Sequence, residues 1–196
     1  MNGACEDEVD YRGEGTPEGL PARCVYLLGF MAAGKTTVGP RLAQLLGWQF
    51  VDLDRQIEAR AGCTIASMIE RSGEPLFREW ESTLLREASK SAPLVVAPGG
   101  GAILREENRR WMESTGVTIW LDAPFELCWE RIEGDGTDRP LARDREAAHR
   151  RYIDRLPLYR HAAIRVPIEV ESTPQAIAEW IAIALQALQA WKGRSS

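Results

Sequence analysis

A parallel α/β sandwich is the fold class predicted by the sequence, on three observations. Short apolar runs alternate with amphipathic stretches long enough to be crossover helices. The first run leads directly into a glycine-rich turn and a helix. The third observation is size: 196 residues (21.9 kDa) suffice for one core but would leave two cores marginal. Apolar residues at 44% and charged residues at 27% suit a soluble globule, and no apolar run is long enough to span a bilayer.

The chain opens on six acids and one base within residues 1–20, a segment that therefore carries the whole formal charge of −5 and leaves the rest neutral. Residues 1–21 read as a flexible acidic tail and 22–196 as a single domain. A globally basic nucleic-acid binder is disfavoured, while a local basic pocket for a small polyanion stays open. Cys5, Cys24, Cys63 and Cys128 have neither metal nor CxxC spacing, and Cys24 and Cys128 lie in apolar surroundings as buried thiols. With no secretion signal, a reducing cytoplasm is expected, and a monomer, because a complete small α/β core needs no partner.

Cys24-Val25-Tyr26-Leu27-Leu28 reads as a strand buried on both faces. A helix follows from about Lys35 to Leu46, stopped by Gly47, with Pro40 an oddity inside it. Phe50-Val51-Asp52 is a short second strand. Thr64 starts a small helix over 65–71, the turn Ser72-Gly73-Glu74 ends it, and Pro75 opens a longer one. Leu94-Val95-Val96-Ala97, Val117 to Leu121 and Ala163 to Val166 are the remaining strands. Helices are expected near 105–115, 124–132 and 144–152. A last helix begins at Pro174, capped by Ser172 or Thr173, with Ile177, Trp180, Ile181, Ala184, Leu185, Leu188 and Trp191 as the stripe packed on the sheet.

Gly29-Phe30-Met31-Ala32-Ala33-Gly34-Lys35-Thr36 matches GxxxxGK[ST] between a buried strand and a helix, the context of a phosphate-binding P-loop. Backbone donors of such a loop surround a β-phosphate, Lys35 can reach β and γ oxygens, and the Thr36 hydroxyl can ligate Mg²⁺. Ala32, Ala33, Gly34, Lys35, Thr36 and Thr37 are the candidate nucleotide-binding residues here. Phosphoryl transfer or nucleotide hydrolysis is the class implied.

Such chemistry needs acids at a strand end, and Asp52-Leu53-Asp54 supplies them. If the strand persists, alternation points both carboxylates to one side, one towards metal and one towards an acceptor. The interval from Asp54 to Glu81 looks like an inserted cap. Within it Phe77, Trp80 and Leu84 recur at core spacing, while Arg78 and Glu81 share another face, where Glu81 can fix the guanidinium for a carboxylate on a small acceptor. Gly99-Gly100-Gly101 after a buried strand implies either a ligand approaching the backbone or positive φ. The glycine-bearing stretch from Arg131 to Leu141 reads as a lid, with Arg139 able to swing over the transferring group and Arg131 near phosphate or adenine. Arg155 stands just before a rigid break at Pro157, a further anion clamp.

In order, GFMAAGKTTVG, the DLD pair, SGEPLFREWE, PGGG, the arginine helix leading to RPL, and RLPLY resemble the shikimate kinases from about Val25 to Ala163. The resemblance implies the nucleoside-monophosphate-kinase-like P-loop sandwich with strand order 2-3-1-4-5, a substrate-binding subdomain over 53–90 and a lid over 132–145. It implies phosphorylation of the 3-hydroxyl of shikimate by magnesium ATP. By the same resemblance Lys35, Asp54 and Arg139 are catalytic; Asp54, Arg78, Glu81, Gly99, Gly100, Gly101 and Arg155 bind shikimate. Arg131 and Arg139 join the loop on the nucleotide, and Thr36 and Asp52 hold magnesium, Asp52 through water. The chain departs from the family pattern at Pro98, where threonine is usual, at Ala32 or Ala33, where glycine is commoner, at Pro40 and at Ala142. A gluconate-kinase-like enzyme is the rival within enzymes, disfavoured by the FRxxE spacing and the PLY segment; a non-enzymatic ATP-binding relative is the rival outside them.

Overall fold

The architecture is that of a computed structural model, which describes residues 24–91, 93–135 and 144–192. Five parallel strands, β1 (Cys24–Leu28), β2 (Gln49–Asp52), β3 (Leu94–Ala97), β4 (Gly116–Asp122) and β5 (Ile164–Pro167), form one sheet in the order β2-β3-β1-β4-β5. The helices are α1 (Lys35–Leu46), α2 (Leu53–Ala61), α3 (Ile65–Ala88), α4 (Glu106–Thr115), α5 (Phe125–Asp135), α6 (Arg145–Tyr159) and α7 (Pro174–Lys192). The acidic tail and the core of the expected lid, Arg139 included, lie outside the described residues. Among the described residues no helix is long and apolar enough to cross a membrane.

Both faces of the sheet are buried, which is why the central strands read as continuous apolar runs. Along β1, Val25 and Leu27 enter one core with α1 and α7, while Cys24, Tyr26 and Leu28 enter a second with α2, α3 and α4. Phe50 of β2 packs so closely on α1 that a Cβ at Gly39 would stand 2.1 Å from its ring. Because β1 lies between β3 and β4, the chain leaves it at the point where the strand order reverses. The crevice outside the strands' carboxyl ends opens there.

Thr64 caps α3 by accepting from the Ser67 N–H, and the expected break is present inside it: Gly73 is left-handed (φ 82°) between two helical pieces, with Pro75 opening the second. Pro40 is tolerated in α1 because it is exposed, so water can serve the Thr36 carbonyl that lacks its helical donor.

Two expectations are corrected. Helix α6 does not end near Tyr152 and Pro157 is no break: the helix runs through it to Tyr159. The carbonyl that Pro157 cannot serve belongs to half-exposed Ile153, while Arg155 and Tyr159 are buried and hold the last turns down. On α7, Trp180 is 48% exposed and Ala178 takes the buried place beside Ile177, Ile181 and Leu185. That helix is apolar almost all round, so close packing on α1 selects the small residue. Thr173, not Ser172, caps it, accepting from the Ala176 N–H.

Candidate functional site

A cleft of about 850 Å³ lies at the carboxyl ends of β1, β2 and β3. The P-loop forms one end, the start of α2 and the glycine turn form the floor, and α3 with Arg155 of α6 closes the other end. Glu58 accepts the Ile65 N–H and ties α2 to α3, and Thr64, Ile65 and Ile69 line the cleft.

The loop is shaped by backbone that side chains rarely adopt. Gly29 (φ 145°) and Gly34 (φ 104°) take left-handed conformations, and a Cβ on Gly29 would meet the Leu121 carbonyl at 2.8 Å. Ala32 adopts φ 58° despite its Cβ. No side chain caps α1 and its first turn holds no acid, so its N-terminal N–H groups and dipole face the cleft available to an anion. Lys35 Nζ donates to the carbonyls of Gly29 and Phe30, both at 2.9 Å, which leaves one of its three donors. Arg131 of α5 donates to the Ala32 carbonyl at 3.1 Å. Thr36 lines the same wall, and Thr37 follows it in the first turn of α1.

The strand does not persist through Asp52-Leu53-Asp54, as the alternation argument required. Asp52 is instead the N-cap of α2, its Oδ1 accepting from the Asp54 N–H (3.0 Å) and the Arg55 N–H (3.4 Å). Such a cap outcompetes strand extension because it satisfies helix donors that would otherwise be unmet. Both acids still line the cleft, with Leu53 turned into the core. Pairing of Asp52 with Ala97 sets them beside the turn that follows β3.

The glycine triplet is not there for positive φ, since none of the three belongs to the left-handed set. Side chains of the site crowd the backbone instead. A Cβ on Gly99 would stand 2.5 Å from Asp54 Oδ1 and from Glu81 Oε1, one on Gly100 would stand 3.3 Å from Arg155 Nη1, and one on Gly101 would collide with the Arg78 guanidinium at 2.2 Å. Arg78 and Glu81 are joined at 3.0 Å and both buried. Removing either partner of such a pair costs about 3–5 kcal/mol, because the other charge is left unpaired.

Two contributors fall outside the sequence-derived set. Glu74 Oε1 accepts from Arg78 Nε (3.2 Å) and Nη2 (2.7 Å); its i,i+4 spacing was a legible signal. Tyr159, 1% exposed, donates to the Gly100 carbonyl at 3.0 Å. No local pattern announces a contact spanning 59 positions.

Electrostatics match this crowding. Burial pushes Asp54 up to about 6, Asp52 adding to the shift while Lys35 and Arg78 oppose it. Burial likewise pushes Glu81 up to about 7 against the pull of Arg78. Desolvation lowers Lys35 to about 8, with Asp54 opposing. Burial works against the Arg78 charge, yet Glu81 and Glu74 outweigh it and raise the pKa. Asp54 Oδ1 and Glu81 Oε1 are buried with no hydrogen-bond partner among the described residues, so two acceptors point at one spot above Gly99.

Residues 31–186 match the shikimate kinase family model. The chain belongs to the shikimate kinase family. The shikimate kinase of Synechococcus sp. (strain JA-3-3Ab) is 44% identical over 171 residues, covering 85% of this chain and 90% of that protein. That of Persephonella marina is 39% identical over 157 residues, covering 80% and 96%. Among solved structures, the shikimate kinase from Acinetobacter baumannii in complex with shikimate superposes with a TM-score of 0.80 at 35% identity, covering 87% of this chain and 96% of that one. A gluconokinase from Sinorhizobium meliloti 1021 shares the fold alone, at a TM-score of 0.60 and 17% identity. Membership gives the chain shikimate kinase activity, with the use of ATP that a kinase entails. It is a P-loop enzyme of aromatic amino acid biosynthesis.

Proposed function

We propose that the chain, acting as a monomer, transfers the γ-phosphoryl group of ATP to the 3-hydroxyl of shikimate, giving shikimate 3-phosphate and ADP. The observation that carries the reading is a single cleft with a phosphate cradle at one end and two buried arginines at the other. Between them two carboxylate oxygens, without a hydrogen-bond partner among the described residues, face Gly99. Arg78 and Arg155 take the acceptor's carboxylate, which suits a planar bidentate donor. Gly99, Gly100 and Gly101 bring the backbone close to the acceptor ring. Asp54 accepts the proton of the reacting hydroxyl, or orients it, and Glu81 holds Arg78.

On the nucleotide side, residues 32–37 and the α1 N-terminus bind the phosphates, Lys35 meets the transferring group with its remaining donor, and Arg131 flanks the loop. Arg139 covers the transferring group from the lid and helps to exclude water. Magnesium is implied by the kinase chemistry. Among the described residues no cluster of three or more His, Cys, Asp or Glu is placed to hold a metal ion. Of the residues that line the cleft, the Thr36 hydroxyl and the Asp52 carboxylate are the ones that would hold Mg²⁺, a donor set that fits an ion which keeps waters and phosphate oxygens as its other ligands. When bound, the ion neutralises charge on the phosphates.

ADP release measured with shikimate, with gluconate and without acceptor tests the reading. Release with shikimate alone, and shikimate 3-phosphate as the product, is expected. Equal release with gluconate, or release without any acceptor at the same rate, would overturn it.

A further inference from the structure

The Arg78 guanidinium has five N–H donors, and three are committed among the described residues. One oxygen of Glu74 bridges Nε and Nη2, and Glu81 Oε2 takes one N–H of Nη1. Two N–H groups remain, one on each terminal nitrogen, and those nitrogens lie against Gly101 in the floor of the cleft. A donor on each terminal nitrogen is the fork that a carboxylate accepts bidentately. The Phe77 ring, 4.7 Å from Cζ, supports the guanidinium from one face.

Glu81 touches a single terminal nitrogen, while Phe77 and Gly101 confine the guanidinium between them. Glu74 adds what these leave open: one oxygen shared between Nε and Nη2 holds the other edge and fixes the rotation of the group within its plane. Glu74 reaches it from the rim: its side chain is 46% exposed, and it follows the left-handed Gly73, which ends the first piece of α3. The position is therefore outside the cleft lining yet in direct contact with the group that faces the acceptor.

We infer that Glu74 is a positioning residue that sets the Arg78 fork for the acceptor's carboxylate. The inference rests on the reading that Arg78 binds that carboxylate. Glu74 is not among the residues that line the cleft and its contacts there run to Arg78, so its loss should act through Arg78. The opposite role is chemically distinct: as a competing carboxylate, Glu74 would weaken acceptor binding by occupying Arg78.

Steady-state kinetics of the full chain separate these roles. Glu74→Ala should raise the KM for shikimate by about tenfold, the equivalent of one charge-assisted contact. Both kcat and the KM for ATP should stay within about twofold, since uniform binding of the acceptor is what is lost. Glu74→Gln keeps an oxygen at the same reach and should recover part of the effect. In an Arg78→Lys background, which lacks the fork, Glu74→Ala should add nothing. An unchanged or lowered KM for shikimate in Glu74→Ala, or an equal rise for ATP, would overturn the assignment. If Arg78→Lys alone leaves the KM for shikimate unchanged, the reading of Arg78 itself fails, a result distinct from failure of Glu74 alone.

Discussion

Asp54 Oδ1 and Glu81 Oε1 converge on Gly99, each 2.5 Å from the point where a Cβ on that residue would stand. They arrive from different helices, α2 and α3, and the absent side chain is what lets both carboxylates occupy the cleft floor. Gly99→Ala should therefore act on function before stability. The colliding atoms are side-chain ends that can retreat, but retreat misplaces both acceptors, and a misplacement of ~1 Å costs on the order of 10²-fold in rate. We expect kcat/KM for shikimate to fall by about that factor with ATP affinity retained; a variant with unchanged kcat/KM would show that the two oxygens need not be where they are.

Division of labour between Asp52 and Asp54 can be read without disturbing the fold. Asn retains the oxygen that caps α2, so Asp52→Asn should keep the melting temperature and raise the magnesium requirement, with rescue at high metal. Asp54→Asn should lower kcat without magnesium rescue while ATP still binds. Magnesium titrations of kcat and calorimetry of ATP binding check both; rescue of Asp54→Asn by the metal would reverse the assignment.

The pH dependence follows from three shifted groups. Asp54 must be ionised to take the hydroxyl proton and Glu81 to hold Arg78, so kcat/KM for shikimate should climb through pH 6 to pH 7 as the two carboxyls lose their protons. It should decline above about pH 8 as Lys35 gives up its charge. For stability the sign is opposite on the acid side. Both carboxyls have folded pKa values above their ordinary 3.8 and 4.5, so the folded chain holds more protons and loses stability as pH rises through that window. Lys35, lowered from 10.5, adds stability as pH rises from about 8. A rate profile flat from pH 6 to pH 7 would exclude a kinetic role for the shifted carboxylates.

Ala32 stores strain in the phosphate loop at φ 58°. A left-handed non-glycine residue costs roughly 1–2 kcal/mol, part of which glycine returns as unfolded-state entropy. Ala32→Gly should thus raise the melting temperature by about 2–4 °C with the KM for ATP unchanged. A lower melting temperature would mean that loop contacts made by the methyl group outweigh the strain.

The sequence by itself determined the sheet and the ends of the cleft. Buried parallel strands read as apolar runs, and the P-loop is a contiguous motif whose physics is local: left-handed glycines, a helix N-terminus and one lysine. The Arg78–Glu81 pair was legible for the same reason, since helical spacing places both on one face. Tertiary structure decided what local rules leave open. Asp52 turned from strand into helix cap because the α2 donors needed an acceptor. Helix α6 ran through Pro157 because core contacts of Arg155 and Tyr159 and solvent at Ile153 offset the missing donor. Trp180 lost its buried place to Ala178 because α7 lies close against its neighbour. The glycine triplet owes its composition to Asp54, Glu81, Arg78 and Arg155, side chains brought from three other helices, and no reading of the turn alone could name them. Sequence spacing encodes which groups share a face; which faces then meet, and how little room is left between them, is a property of the packed chain.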